Sequence, residues 1–278
     1  MPADLHIHTT ASDGRLSPEE VLSKAAKYGL SYIAITDHDT VDGLISIKNN
    51  SLKSNLVVIP GIEFSIDLPE HEVHVLGYYI DPFDKQLQEQ LLTITDDRRK
   101  RIEKIVVRLN AIGYKITYEE ILNSTKETSS IGRPNVARVL VEKGYFQTVA
   151  QVFEQLLYKN GPVYIPHYKL KPQQAIELIN RCGGIPVLAH PGLIGDDNIV
   201  LKMIEYGICG LEAFHPKHSK EQRNKYAQLA DGYKLLVTGG SDFHGIPSRY
   251  PEELGVFTVP DELALSLQRY SQALKYTL

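Results

Sequence analysis

The stretch DLHIHTTASDG, Asp4 to Gly14, contains the pattern on which the interpretation of the whole chain depends. Its first half is typical of a short buried strand, and His6 and His8 stand two residues apart within it. Because side chains at positions i and i+2 of a strand project from the same face, these two imidazoles can converge on one ion. An isolated HxH pair is weak evidence, since ordinary polar packing also produces it. The pair becomes informative only if other strands carry residues of the same kind.

Strand and helix patterns alternate beyond this stretch. The segment SPEEVLSKAAKYG predicts a helix capped by Ser17, with Pro18 in its first turn, Glu20 completing a capping box and Gly29 as its stop. The apolar runs YIAITDH and VVIPGIEFSI suit buried parallel strands, and EVHVLGYYI alternates more. Farther along, strands are predicted in IPVLAHP, GICGLEAFHP and KLLVTGGSDFHG, with helices over 197–206, 219–231 and 261–275.

Residues 81–164 show helical periodicity instead, as in DDRRKRIEKIVVRLNAIG, where apolar residues recur at helical spacing. We therefore expect a discontinuous barrel domain over 1–80 and 165–278, interrupted by a helical insertion, or cap, over 81–164. About seven strands with polar residues at their carboxyl ends favour an α/β fold with a closed or nearly closed parallel barrel over a doubly wound sheet. No glycine fingerprint for a dinucleotide or a P-loop follows any strand.

Composition narrows the class of protein. The chain has 278 residues, of which 42% are hydrophobic, and a formal charge of −4, which provides no overall field for gathering nucleic acid. Cys182 and Cys209 cannot form a disulfide framework, and no apolar run approaches the roughly 18 residues of a membrane span. We expect a cytoplasmic protein that does not associate with membranes.

Glu63 lies in an apolar setting, after VVIPGI and before Phe64, where a carboxylate is costly unless it is paired or bound to a cation. Strand ends supply further candidate ligands, so that the full set is His6, His8, Asp13, His38, Glu63, His74, His190, Asp242 and His244. Nine ligands are too many for one tetrahedral ion and match two or three divalent ions such as Mn, Fe or Zn. Clustered ions suit phosphoester hydrolysis, because they neutralise phosphate oxygens and activate water.

In order and strand placement, HIHTTASDG, TDHD, AHP and SDFHG resemble the motifs of the PHP family, named for its polymerase and histidinol phosphatase members. The resemblance covers roughly residues 1–80 and 165–250. It implies a distorted, TIM-like (β/α)7 barrel with a three-metal centre at the carboxyl ends of its strands. By position, it implies that His6, His8, Glu63 and Asp242 hold one ion, that Glu63, His74 and His190 hold a second, and that Asp13, His38 and His244 hold a third.

Within that family the chain is most similar to the nucleotide-directed phosphoesterases, which implies as substrate a 3′,5′-nucleoside bisphosphate such as pAp or a short 5′-phosphorylated RNA. The motif SIGRPNVAR resembles a segment where such enzymes place an arginine on substrate phosphate, at Arg133 here, although an arginine that merely begins a helix has the same appearance. His215 and His218 in FHPKHS are further candidates for substrate contact. The basic run Arg98–Arg101 is either a guide for a polyanion or a solvated helix face.

We expect a metal-activated hydroxide to attack phosphorus in line, with Asp13, Asp39 or His190 assisting proton transfer. Two alternatives stay open. A histidinol-phosphate phosphatase shares the barrel and the chemistry, but a small monoester needs no long helical cap. A non-catalytic PHP module would instead serve a polymerase-type complex. No obligate protein partner is implied.

Overall fold

The computed structural model describes residues 2–48, 55–68, 71–124, 131–166, 168–247 and 249–276. The strands are β1 Pro2–Ile7, β2 Tyr32–Ile35, β3 Val57–Leu68, β4 His71–Tyr78, β5 Ile185–Leu188, β6 Gly210–Phe214, β7 Leu236–Gly239 and β8 Val259–Pro260. They form one sheet in the order β7-β6-β5-β4-β3-β2-β1-β8. The expected α/β barrel architecture is confirmed.

Helices α1 Pro18–Lys27 and α2 Asp42–Ser46 follow the first two strands, and α7 Pro172–Arg181, α8 Asp197–Glu205, α9 Lys220–Gly232 and α10 Asp261–Lys275 accompany the later ones. The predicted capping box of α1 is present: Glu20 N donates to Ser17 Oγ at 3.2 Å, and Ser17 N donates to Glu20 Oε2 at 2.7 Å. Gly29 ends this helix with a φ of 73°, as its stop position requires. The first helix is therefore fixed by local sequence.

The sheet departs from an all-parallel barrel at two strands, β4 and the two-residue β8, which pairs antiparallel with β1. β1, β2 and β3 are mutually parallel, as are β5, β6 and β7, but β4 is antiparallel to both of its neighbours. The expectation of a parallel barrel is thus wrong at β4 and at β8. Only residues 69 and 70 separate β3 from β4, whereas a parallel crossover needs a dozen or more. The first half of β4 consequently lies at the barrel mouth, where His74 pairs with Ser65.

The barrel closes between its first strand and the segment that follows β7. Phe243 forms a parallel bridge with Ile7, and His8 N donates to Phe243 O at 2.9 Å. Gly240 permits this close approach, because a Cβ atom at that position would lie 2.4 Å from the backbone nitrogen of His6. Residues from the two ends of the chain therefore meet at the mouth.

Between β4 and α7 the described residues form four helices: α3 Lys85–Ala111, α4 Tyr118–Ser124, α5 Arg133–Glu142 and α6 Val149–Val152, the last continuing into a π-helical turn over Phe153–Leu157. Leu87, Leu91 and Ile94 of α3 pack in the barrel core, whereas its later apolar residues pack in a separate core that extends to Ile165. The boundary between residues 80 and 81 stays a prediction, and α3 is shared by both cores. No helix within the described part of the chain has the length and apolar character needed to cross a membrane.

We predict that Gly240→Ala lowers the free energy of unfolding, measured by urea denaturation, by about 1–3 kcal/mol, because the added methyl group overlaps the backbone of His6. The matched control is Gly232→Ala at the end of α9, where the added carbon meets no atom within 4 Å apart from its chain neighbours and the backbone of its own helix. This control is expected to be neutral or to stabilise by up to about 1 kcal/mol. Equal stability of the two variants would contradict the prediction.

Candidate metal centre and substrate cleft

Strand ends on both sides of the closure deliver titratable side chains to the barrel mouth. All nine ligands predicted from the sequence lie there, linked by contacts among His6, His8, Asp13, His38, Glu63, His74, His190, Asp242 and His244. They come from β1, β3 and β4 and from the turns after β1, β2, β5 and β7. The fold therefore assembles residues that are up to 238 positions apart in the sequence, as His6 and His244 are.

Glu63 occupies the middle of this cluster and is completely buried. Its Oε1 atom lies 2.9 Å from His74 Nδ1 and 3.1 Å from His190 Nε2. Its Oε2 atom lies 3.3 Å from His6 Nε2, 3.2 Å from His8 Nε2 and 3.1 Å from His38 Nδ1. One carboxylate thus faces five imidazoles, an arrangement in which a bridging ligand can serve more than one ion.

Two aspartates complete the cluster on the side where the barrel closes. Asp242 Oδ1 lies 3.3 Å from His8 Nε2 and 3.8 Å from His6 Nε2. Asp13 Oδ1 lies 3.2 Å from His244 Nε2 and 3.8 Å from His8 Nδ1. The loop after β1 and the turn after β7 therefore supply candidate ligands to the same small volume.

The atoms of this cluster fit divalent cations better than they satisfy one another. His6 Nε2 and His8 Nε2 lie only 3.1 Å apart. Several buried atoms make no hydrogen bond, although buried polar atoms normally do, namely His8 Nδ1, Asp13 Oδ1, His38 Nδ1, Glu63 Oε2, His190 Nδ1 and His215 Nε2. Cations coordinated by nitrogen and oxygen donors would supply the missing partners.

Ligand atoms within 4.8 Å of one another form three groups: His8, Asp13, His38 and His244; His6, His8 and Glu63; and His38, Glu63 and His74. His8, His38 and Glu63 each belong to two groups, whereas the sets implied by the family resemblance share only Glu63, so the structure groups the side chains differently. How these side chains are divided among individual ions stays a prediction.

The electrostatic surroundings favour ionised carboxylates, which is the state that a cation ligand needs. Burial raises the pKa of Glu63, but the charges of His38, His6 and His74 outweigh it and hold that pKa well below its usual value. Burial lowers the pKa of His38 to about 3, against the opposing effect of the Glu63 charge. Burial also lowers the pKa of His8, but Asp242 and Glu63 reverse the direction and raise it to about 9. A cation at His8 must therefore displace a proton.

Three residues of the mouth adopt left-handed backbone conformations that are uncommon outside glycine. The φ angles are 51° for Asp39, 28° for His190 and 51° for Asp242. Each follows a strand, at a turn that redirects the chain. Such conformations cost free energy and cluster at functional sites, because the surrounding contacts must hold them.

Sequence reasoning missed three buried carboxylates that support the ligands. Asp37 Oδ1 accepts from Thr9 N at 2.7 Å and from Ser12 Oγ at 2.5 Å, which fixes the loop after β1. Asp4 accepts from Ser241 N at 2.8 Å, next to Asp242, and burial raises its pKa to about 6. Glu212 contacts His6 and His190. The sequence GLEAF around Glu212 carries the same signal as the sequence around Glu63, namely a carboxylate inside an apolar strand.

A cleft of about 750 Å³ lies between the mouth and the helical insertion. Asp13, His38 and His74 line one side of it. The insertion and the segment that follows it contribute the cations Arg98, Arg101, Arg133, Lys159 and Lys169 and the aromatic rings of Phe153, Tyr158 and Tyr164. The net charge of the protein is negative, but this wall of the cleft is positive.

The basic run Arg98–Arg101 divides between two faces of α3. Arg98 and Arg101 line the cleft, as their i, i+3 spacing allows, while Arg99 and Lys100 are exposed. Arg98 Nη2 donates to Asp39 Oδ2 of the mouth. Arg101 is 5% exposed, and its pKa is lowered to about 10 by burial and then by the charges of Arg133 and Arg98. Three guanidinium groups thus converge on one region.

The other predicted site residues have distinct surroundings. Arg133 begins α5 and lines the cleft, where Nη1 donates to Leu157 O at 3.0 Å. His215 Nε2 lies 3.5 Å from Asp242 Oδ2, toward the metal cluster. His218 donates through Nδ1 to Ala213 O at 2.8 Å and accepts from Gly192 N at 3.0 Å, so both of its ring nitrogens are engaged. Neither histidine lines the cleft, and their predicted substrate contacts rest on sequence alone.

Asp39 is committed to contacts within the chain. Its Oδ1 atom accepts from Ser65 N at 3.0 Å, and its Oδ2 atom accepts from Arg98. Burial raises its pKa, but the charges of Arg98 and His38 outweigh that effect and lower it. An ionised carboxylate that is paired in this way suits the orientation of Arg98.

The PHP domain family matches residues 4–182 of the chain. A 3′,5′-nucleoside bisphosphate phosphatase of Chromobacterium violaceum is 32% identical over 248 residues, which cover 87% of this chain and 86% of that protein. A phosphoribosyl 1,2-cyclic phosphate 1,2-diphosphodiesterase of Eggerthella lenta is 30% identical over 254 residues, 90% of this chain and 97% of that protein. The 5′-3′ exoribonuclease Rnm of Escherichia coli K12 is 33% identical over 248 residues, 87% of this chain and 84% of that protein.

A solved structure from Bifidobacterium adolescentis, described as a metal-dependent phosphoesterase, superposes with a TM-score of 0.86. It is 31% identical, and the alignment covers 96% of this chain and 95% of that one. The similarity therefore includes both the barrel and the helical insertion.

We predict that Glu63→Gln lowers the content of bound Mn, Fe or Zn below the two to three equivalents expected of the unaltered protein, because the amide keeps the shape of the side chain but loses its charge and one ligand oxygen. Elemental analysis after loading measures the content. Since bound ligands stabilise the folded state, added Mn should also raise the Tm of the variant less than it raises the Tm of the unaltered protein. Glu177→Gln, which alters an exposed carboxylate on α7, is the control. Metal content equal to that of the unaltered protein would contradict the prediction.

Proposed function

Because the chain belongs to the PHP domain family and is a phosphoester hydrolase, we propose that its substrates are phosphorylated nucleotides, either a 3′,5′-nucleoside bisphosphate or the 5′ end of a short RNA. The observation that carries this proposal is the composition of the cleft. A carboxylate and histidine cluster lies on one side, and Arg98, Arg101 and Arg133 lie on the other. A substrate that fits both must present a reacting phosphate and a second anion.

The aromatic side chains of the cleft support a nucleoside between those two anions. Phe153, Tyr158 and Tyr164 line it together with the arginines, and the Arg133 guanidinium lies 5.6 Å from the centre of the Phe153 ring. Bases stack on aromatic faces and on guanidinium planes. The volume of about 750 Å³ lies within the range of pockets that enclose small ligands.

The chain's own residues divide the chemistry among them. His6, His8, His38, His74, His190, His244, Asp13, Glu63 and Asp242 would hold two or three divalent ions. When bound, such ions supply an activated water and neutralise charge on phosphate oxygens. Arg98, Arg101 and Arg133 bind the second anion, and Asp39 orients Arg98. Asp13 and His190 are the residues proposed for proton transfer, since Asp13 Oδ1 and His190 Nδ1 make no hydrogen bond.

The alternatives differ in what they require of the cleft. Histidinol phosphate lacks the second anion that the three arginines would bind, so it would leave their guanidinium groups without a partner on the substrate. A non-catalytic module needs no complete ligand set, yet all nine predicted ligands lie at the mouth. The similarity to the Eggerthella lenta enzyme makes a cyclic phosphate of ribose a further candidate. The cytoplasmic location and the lack of an obligate protein partner stay expectations from the sequence.

We predict that the Mn-loaded protein releases phosphate from a 3′,5′-nucleoside bisphosphate, or mononucleotide from 5′-phosphorylated RNA, faster than it releases phosphate from histidinol phosphate. Parallel assays of kcat/KM on these three compounds and on a ribose 1,2-cyclic phosphate measure the preference. Chelator-treated protein serves as the control and should be inactive. A preference for histidinol phosphate, or hydrolysis of none of the four, would refute the proposed substrate class.

A second prediction concerns Arg133, which the sequence motif suggests for substrate phosphate and which lines the cleft. Arg133→Lys should raise KM for the preferred nucleotide about tenfold with a smaller change in kcat, because a hydrogen bond to a charged group contributes about 1.5–3 kcal/mol and lysine loses the bidentate geometry. Steady-state kinetics measures both constants. The control, Arg269→Lys, alters an exposed arginine of α10. An unchanged KM would show that Arg133 does not bind the substrate.

A further inference from the structure

Glu212 is a completely buried carboxylate in the middle of β6, and neither sequence motifs nor the proposed chemistry assigns it a role. Both of its oxygens are bonded to residues of the metal centre. Glu212 Oε1 accepts from His6 Nδ1 at 3.0 Å, and Glu212 Oε2 accepts from the backbone nitrogen of His190 at 2.8 Å. One side chain thus joins a ligand on β1 to a ligand after β5.

The contact with His6 selects a tautomer. A carboxylate oxygen only accepts, so His6 Nδ1 must carry the hydrogen that it donates. His6 Nε2 is then free of the second hydrogen in the neutral ring and faces His8 and Glu63 at 3.1 Å and 3.3 Å. A histidine can ligate a cation only through a nitrogen with a free lone pair, and its other nitrogen usually determines which one that is.

The contact with His190 holds a strained backbone. His190 has a φ of 28°, which few residues other than glycine adopt. Its backbone N–H points at Glu212 Oε2, and this hydrogen bond stabilises the turn that aims His190 Nε2 at Glu63 Oε1, 3.1 Å away. A buried carboxylate is expensive to desolvate, and an apolar side chain would fill the same space without that cost.

We propose that Glu212 is a positioning residue that fixes the tautomer of His6 and the backbone of His190, and thereby sets the cation affinity of the mouth. The inference rests on the proposed function in one respect, namely that these histidines bind divalent ions. Strand β6 carries none of the predicted ligands, so Glu212 would be its contribution to the metal centre.

The test compares Glu212→Gln and Glu212→Ala with the unaltered full-length protein after removal of metal by a chelator. Competition with a chromogenic chelator measures the affinity for Mn²⁺ and Zn²⁺. Loss of a partner of this kind typically weakens metal binding 10–100-fold, and we expect the larger loss for the alanine variant. The glutamine variant should be intermediate, because its single amide oxygen can accept from only one of the two donors.

A second readout isolates positioning from general stability. Burial lowers the pKa of His6, but Glu212 and Glu63 outweigh it and raise that pKa well above its usual value, so the metal-free protein is measured at a pH high enough for a neutral His6 ring. Long-range ¹H–¹⁵N spectra of the histidine rings should then show the His6 hydrogen on Nδ1, and in Glu212→Ala it should move toward Nε2. Thr238→Val is the matched control, since Thr238 is completely buried and lies opposite Glu212 across β6 and β7. It should leave the tautomer of His6 unchanged and the metal affinity within about twofold of the unaltered protein.

The proposal would be overturned if either variant binds metal within twofold of the unaltered protein and keeps the His6 hydrogen on Nδ1. If Glu212→Ala does not fold, as circular dichroism would reveal, Glu212→Gln alone decides it by the same two measurements. Failure of the proposed substrate class gives a different pattern, in which the unaltered protein binds metal and hydrolyses none of the nucleotides. The two outcomes are therefore distinguishable.

Discussion

The burial of the Glu63 carboxylate among five imidazoles is the constraint on which the rest of the structure depends. A carboxylate removed from water costs several kcal/mol unless compensating charges surround it in good geometry. The compensating rings come from β1, from the turn after β2, from β4 and from the turn after β5. The sheet must therefore curve around Glu63 and bring separate strands to one point, and the closure of the barrel at Phe243 adds two aspartates at its edge.

Local sequence predicted the parts of this arrangement that depend on near neighbours. The capping box at Ser17, the helices after β5 and the ligand residues at strand ends all follow from patterns a few residues long. The direction of β4 did not follow, because its apolar alternation is the same in either orientation and only the short connection to β3 determines it. Glu212 was missed although GLEAF carries the same local signal as the Glu63 strand, and only the fold shows its partners, which lie 206 and 22 residues away.

The positive wall of the cleft was also beyond local prediction. A run of four basic residues on a helix has the same appearance whether it faces water or a ligand. Only the fold shows that Arg98 and Arg101 turn inward, where Arg98 pairs with Asp39 and Arg101 donates to Ile165 O. The ion pair between Arg98 and Asp39 explains how the mouth tolerates this concentration of cations. It joins the insertion to the barrel by the same contact that keeps one guanidinium next to the cluster.

Helix α3 gives this junction a mechanical property. Its first turns pack in the barrel core, its later turns pack in the core of the insertion, and it continues unbroken over 27 residues between them. A continuous helix does not shorten or lengthen, so the distance from the barrel mouth to the Arg101 side chain is fixed by the helix itself. The helix thereby sets the separation between the predicted ligand cluster and Arg101, and a molecule that contacts both would have to span that separation.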